Sequence, residues 1–337
     1  MNSEQGAGKR EGEEVNSEQK EVNKEEVSSE QAKGNRASLP VHASPITVHE
    51  SLPPFQASRI THHESPPPVP RSPLPAPFLV RELSGLPELA AAEQLQLDVW
   101  GQDTIPEGRE LLLAIQHSGG LAAGAFDGTS RLVGFLFGFP TRDPAVQHSH
   151  RLAVLPECRG MGIGVALKWF QRDWCLARGI SLVQWTVDPL RMPNAEINAR
   201  LLGATTAHYL PDYYGAMQGI DAGLPSDRFL MDWRLDCPRV AALAMGVPGD
   251  PGFPALPYAN PAEDGRSLGE RLDLGADCLL VRIPADFITL AATGREIAAA
   301  WRDQTRRIFV HYFARGYAVS GFTRIGGPAY LLERTSS

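Results

Sequence analysis

The sequence predicts a mixed α/β fold, a central sheet flanked by helices, behind a tail that builds no core. Three observations predict it. Strand-like and helix-like runs alternate after an initial hairpin. A glycine-rich turn joins one strand to a long amphipathic helix. The first 77 residues show the apolar period of neither element.

The chain has 337 residues, a formal net charge of −7 and 43% hydrophobic residues, unevenly spread. Eleven of its 28 prolines and four of its nine histidines fall by residue 77. The first thirty-one residues hold nine Glu against four Lys or Arg, so too little apolar surface is available to offset chain entropy. "SPITVHES" (44–51) returns as "SRITHHES" (58–65), matching at six of eight positions. With its prolines and no apolar seam, this is a duplication in a linker rather than a pair of heptads. His62, His63 and Glu64 could bind a metal, but they sit on that tail, and "SPPPVPRSPLPAP" reads as extended polyproline. Residues 1–77 are therefore expected to be disordered.

Order is expected from Phe78. "FLVREL" suggests a strand, and "LPELAAAEQLQLDVWG" a helix opened by Pro87 and closed at Gly101. "PEGRELLLAIQHSGG" repeats that grammar, stopping at Gly119-Gly120. "LAAGAFD" and "RLVGFLFGF" make a hairpin around "GTS". "HSHRLAVL" is a strand, 162–178 a helix, "SLVQWTVD" a strand and 193–203 a short helix, followed by strands at "TTAHYL" and "RFLMDWRLD". A bridge over 237–261, Gly/Pro-rich from 246, leads to a C-terminal α/β unit over 262–337. That unit has a strand "DCLLVRIP", a helix 294–315 and strands "YAVSGF" and "AYLLER". Its helix carries Ile297, Trp301, Ile308 and Tyr312 as an apolar stripe, with Arg302, Arg306 and Arg307 mostly off it.

Composition narrows the function. Cys158, Cys175, Cys237 and Cys278 form no CxxC or Cys/His cluster, so neither a metal site nor a disulfide framework is expected. Reduced thiols, the lack of a signal-like apolar core and the lack of any run near the ~20 apolar residues of a membrane span suggest a cytoplasmic protein with no membrane partner. Mild acidity disfavours nucleic acid.

The chemistry concentrates in "HRLAVLPECRGMGIGVAL" (150–167). The helix after the turn carries Ile163, Leu167, Phe170, Trp174 and Ala177 on one face, with Lys168, Gln171 and Arg172 expected largely elsewhere. Its glycines therefore open a well-anchored helix, whose unpaired N–H groups and positive dipole end favour an anion such as phosphate. A dinucleotide fingerprint does not fit, because its third glycine would be Val165 or Leu167. A P-loop does not fit either, because Lys168 is followed by Trp169.

The spacing that fits is Arg159-Gly160-Met161-Gly162-Ile163-Gly164, and here the sequence resembles the GNAT acetyltransferase superfamily. A second match lies at "DPLRMPNAEINARLLGA", with Asn194 and Asn198 before Leu202-Gly203-Ala204. The resemblance covers 78–236 and extends less closely through "RIPADF", "AWRDQTR" and "ARGYAV". It implies a GNAT-type mixed sheet with two splayed strands and acetyl-CoA as co-substrate in the wedge between them. Backbone groups of Ala153 and Val154 would pair with pantetheine. The amides from Arg159 through Gly160, Met161, Gly162 and Ile163 to Gly164 would hold the pyrophosphate, with Asn194 and Asn198 near the pantetheine arm. It implies direct attack of an amine, from a small molecule or a peptide, on the thioester. The sequence departs from the family at position 199, where the usual thiolate acid, a Tyr, is Ala199. Tyr209, Tyr213 or Tyr214 could substitute or could pack in a turn, and Tyr213 is taken as the candidate. His148 and His150 share strand parity and face one way, and His150 is the candidate base. Asp188 and Glu196 are further candidates, and water could relay the proton. The alternative function is a non-catalytic acyl-CoA sensor or binding module. Either form could pair as a homodimer.

Overall fold

In a computed structural model the chain is described over residues 78–217, 222–247, 255–263, 266–267 and 269–335. The tail expected over 1–77, with its duplication and polyproline run, lies outside them.

The apolar runs between 79 and 154 form four strands joined antiparallel in chain order: β1 (Leu79–Glu82), β2 (Leu121–Phe126), β3 (Leu132–Pro140) and β4 (Val146–Val154). The "GTS" turn is tied by Asp127, whose carboxylate accepts from the amides of Thr129 and Arg131. β5 (Leu182–Val187) then joins β4 in parallel. β6 (Tyr209–Leu210) and β7 (Arg228–Arg234) complete a seven-stranded sheet of order β1-β2-β3-β4-β5-β7-β6. A mixed sheet flanked by helices is the predicted class.

α1 (Gly85–Trp100) and α2 (Arg109–His117) lie on the face to which His150 and Arg151 point. α3 (Ile163–Leu176) lies on the opposite face, where Gln147 and Ser149 meet it. Gly134 lets it in: a Cβ there would stand 3.0 Å from Ile163 and 3.3 Å from Leu167. The expected stripe is correct at Ile163, Leu167 and Trp174, but Lys168, Gln171 and Arg172 are buried too. The amphipathic expectation fails because α3 has β5 and β7 beside it as well as β1–β4 beneath. Arg172, for example, donates to the Leu235 carbonyl just beyond β7.

After β5, α4 (Met192–Ala195) continues into a π-helical turn, Glu196–Leu201, where one plain helix was expected. Within the bridge, Pro238–Ala244 is helical (α5). The C-terminal unit holds a short hairpin of β8 (Ala262–Glu263) and β9 (Arg266–Ser267), and three longer strands. These are β10 (Cys278–Arg282), β11 (Tyr317–Thr323) and β12 (Ala329–Arg334), in the order β10-β12-β11. Between β10 and β11 run α6 (Phe287–Thr293) and α7 (Arg295–Ala314). α6 was not expected, although its cap was legible: the Asp286 carboxylate accepts the Thr289 N–H.

One hydrophobic core runs from Leu83 to Leu332 through both sheets. Phe229 of β7 packs against Phe309, Phe313 and Tyr330 at centroid distances of 4.8, 5.8 and 5.5 Å. Thr206 and Val319 exchange backbone hydrogen bonds of 3.2 and 2.7 Å, joining the segment beside β7 to β11. On α7, Trp301, Ile308 and Tyr312 are buried as expected, but Ile297 is 54% exposed and Arg302 only 2%. Arg302 is drawn inward by Asp188 at the end of β5, in a bidentate pair with both bonds at 2.7 Å.

Candidate functional site

β4 and β5 pair only at Val146↔Leu182, Gln147↔Val183 and His148↔Gln184, and then part. Beyond that vertex, one side of β4 faces a gap. The register decides which groups are offered there. The Leu155 amide bonds Val133, so the regular antiparallel alternation turns Ala153 toward Phe135 of β3 and leaves Val154 and Leu152 facing the gap. The backbone of Val154 thus lies on the side of the gap, whereas that of Ala153 is committed to β3. On the other wall, the Leu235 amide bonds Ser181, so the same alternation leaves Thr186 facing the gap.

The loop after β4 makes a 3₁₀ turn at Pro156–Cys158 and enters α3 through Gly162. Gly160 and Gly162 both have φ +80°, the left-handed region that favours glycine, and a Cβ at either would meet nothing within 4 Å. The first bonded amides of the segment are those of Cys158 and Arg159, and the next is that of Ala166, to Gly162. Among the described residues, the N–H groups of Gly160, Met161, Gly162, Ile163, Gly164 and Val165 have no acceptor in the protein. Six free donors at a helix N-terminus, in open space beside the gap, form an anion cradle. Arg159 is exposed, and its Nε lies 3.4 Å from the Val154 carbonyl oxygen.

On the α1/α2 face, the β3–β4 register slips between Phe137↔Arg151 and Gly138↔Ser149, so His150 is the extra residue of a bulge. A bulge re-aims side chains, and here His150 and Arg151 both reach Glu107. His150 Nε2 lies 3.5 Å and Arg151 Nε 2.5 Å from its carboxylate oxygens. Burial pushes the Glu107 pKa up, but the hydrogen bond from His150 and the charge of Arg151 outweigh it, so the carboxyl lies below its ordinary range. Glu107 is held by Gln96 of α1, which bonds both its amide and its carbonyl. The His148 ring lies 6.0 Å from that of His150, so the two do share a face. Burial, and then the neighbouring charges of His150 and Lys168, lower the His148 pKa. Glu107 was missed in the sequence. Its only signal there was a carboxylate in the loop between two helices.

The remaining candidates divide. Tyr213 is exposed, its ring edge-on to Tyr214 at 4.8 Å. Tyr214, not Tyr213, reaches β5, sharing a 2.8 Å hydrogen bond with the Thr186 hydroxyl. Tyr209 is structural: its hydroxyl donates to Asp227, and burial raises its pKa. Asp188 is taken by Arg302 and Glu196 by Arg200, which removes both as free bases. Asn194 is exposed on α4, just past the open end of β5, while Asn198 is buried in the π-helical turn, where its carbonyl accepts the Ala204 amide. Ala199 is buried, with its carbonyl bonded by Arg239. Among the described residues no group of three or more His, Cys, Asp or Glu is placed to hold a metal ion. No described helix is long and apolar enough to cross a membrane.

The model of the acetyltransferase (GNAT) family matches residues 88–220. Among solved structures, the chain is similar to the ribosomal-protein-S18-alanine N-acetyltransferase of Escherichia coli, with 16% identity and a TM-score of 0.40, over 48% of this chain and 95% of that one. It is also similar to a phosphinothricin acetyltransferase of Sinorhizobium meliloti in complex with AcCoA, with 19% identity and a TM-score of 0.39, over 46% and 86% of the respective chains. No curated protein matches the sequence.

Proposed function

We propose that this chain, whose residues 88–220 are a GNAT acetyltransferase domain, transfers the acetyl group of acetyl-CoA to an amine of a small molecule or a peptide. One observation carries the proposal. A wedge between two strands ends in a loop with six unpaired amides, a shape suited to a pantetheine arm tipped by a pyrophosphate.

Val154 and Leu152 would pair with the pantetheine, the amides from Gly160 to Val165 would hold the pyrophosphate, and Arg159 would add charge. Asn194 would lie beside the arm at the open end. The acceptor would enter on the opposite face, between the α1–α2 loop and the Tyr213–Tyr214 wall. There His150 takes the amine proton, with Glu107 orienting the imidazole. Bond formation between amine nitrogen and carbonyl carbon expels the CoA thiolate. The four cysteines are unpaired thiols, in keeping with work in a reducing cytoplasm.

The test is thiol release from acetyl-CoA with a panel of primary amines and peptide N-termini. Turnover is expected, and His150→Asn should lower kcat by about a hundredfold or more with CoA affinity unchanged. Tight CoA binding without thiol release for any amine would instead identify a binding module.

A further inference from the structure

Lys168 lies inside the molecule, and among the described residues no carboxylate stands beside it. It is 3% exposed. Its Nζ donates to Ser149 Oγ at 2.8 Å and Gln171 Oε1 at 3.1 Å, and stands 3.8 Å over the Trp185 ring, with Trp233 further off at 5.9 Å. The position within the sheet matters. His148↔Gln184 is the last β4–β5 pair, so Ser149 and Trp185 are the first residues past the vertex on the two walls. The amine therefore bridges the walls at the inner end of the wedge.

Its surroundings are polar but offer no negative charge. Gln147 of β4 accepts from Gln171 and Cys175 and leaves its own Nε2 unpaired. The titratable groups nearby are the Cys175 thiol on the same helix, pushed up to about 12 by burial, and His148 on β4. β5 and β7 present the indole rings of Trp185 and Trp233 to the amine. Burial lowers the Lys168 pKa to about 7, so near neutrality the amine can hold a proton or give it up. Such a group costs stability wherever it is charged, and packing alone would be served by a methionine.

Resting on the acetyl-transfer proposal, we propose that Lys168 is a positioning residue for the leaving thiolate, acting through the hydroxyl of Ser149. From Val154 at the cradle to Ser149 at the vertex, β4 advances four strand positions of about 3.3 Å each, His150 being the extra residue of the bulge. A pantetheine arm extended from the cradle along it brings its sulfur to the vertex. As the amine nitrogen bonds to the carbonyl carbon, the C–S bond breaks and its electron pair stays on sulfur. The Ser149 hydroxyl, which donates to Gln171 Oε1 at 3.3 Å, turns its proton to that sulfur while a Lys168 ammonium proton replaces it on Ser149 Oγ. Lys168 is left neutral and is reprotonated from the pool that receives the acceptor amine's proton. This supplies the acid that Ala199 cannot.

The test reads the thiol of bound CoA and needs no acceptor. Thiolate absorbance of bound CoA is titrated against pH for wild type, Lys168→Met and Ser149→Ala. The amine and the thiol titrate as a coupled pair, the thiolate holding the amine charged and the ammonium favouring the thiolate, so wild-type thiolate absorbance should appear at a pH lower by about one unit or more than in the Lys168→Met complex. In Lys168→Met the thiol should titrate close to free CoA, and Ser149→Ala should move part of the way. If Lys168→Met does not fold, Ser149→Ala and wild type decide the matter. Equal thiol pKa values in wild type and variant would overturn the role of Lys168 while leaving acetyl transfer intact. Failure of wild type to bind CoA would overturn the acetyl-transfer proposal, and this one with it.

Discussion

Lys168 shows how a single residue can oppose its helix. Lysine at 168 reads in sequence as a solvated position, and burial leaves its amine with dipoles and an indole face instead of water. The consequence for stability follows from the direction of the shift. Below about pH 7 the amine is protonated in both the folded and the unfolded chain, and the folded state bears the full cost of a buried charge. Between about 7 and the unfolded value near 10.5, the unfolded chain binds the extra proton, so stability rises with pH. Lys168→Met should therefore be more stable than wild type at about pH 6, by up to ~4 kcal/mol, with the difference shrinking toward pH 10. Urea unfolding of both proteins at a series of pH values checks this. Parallel stability curves would mean that the amine is solvated.

At the scale of elements, what was legible in the sequence was what repeats along the chain. Alternation marked out β2 to β5, and the glycine turn before α3 was visible as a turn because φ +80° at 160 and 162 favours glycine. Long-range partners were invisible. Nothing local announces that His150 occupies a bulge, or that its orienting carboxylate comes from Glu107, or that Ala153 turns away from the gap; each depends on register with another strand. The same holds for α7. Its stripe was read correctly at Trp301, Ile308 and Tyr312, yet Arg302 became core because Asp188, 114 residues earlier, sits opposite. Burial pushes the Asp188 pKa up, but Arg302 outweighs it and holds it below the ordinary value. A depressed carboxylate contributes stability that is present above its unfolded pKa and lost as pH falls through the folded one. Arg302→Leu removes both bidentate bonds and leaves the buried carboxylate with Arg191 at 3.6 Å and the Leu190 amide, and should cost about 3 kcal/mol, measured by chemical denaturation. Asp188→Asn combined with Arg302→Leu should recover part of the loss. A cost below about 1 kcal/mol for the single variant would show that Arg191 or water takes over the pairing of Asp188.

At the scale of the whole molecule, the two sheets share one core, and the wedge opens at the edge of the helix that this core anchors. The proposed acetyl-CoA site depends on the cradle. Gly162→Asn is the variant that isolates it, since asparagine tolerates the left-handed turn and its Cβ meets nothing within 4 Å. Its carboxamide then occupies the space before the free amides. Loss of one or two N–H···phosphate bonds at ~1.5–3 kcal/mol each corresponds to roughly ten- to a hundredfold weaker binding or more. Calorimetric titration of CoA, and of pantetheine lacking the pyrophosphate, into wild type and Gly162→Asn is the most direct measurement. CoA affinity should fall by that factor while pantetheine binds both proteins alike; unchanged CoA affinity in a folded Gly162→Asn would contradict a pyrophosphate site in this loop.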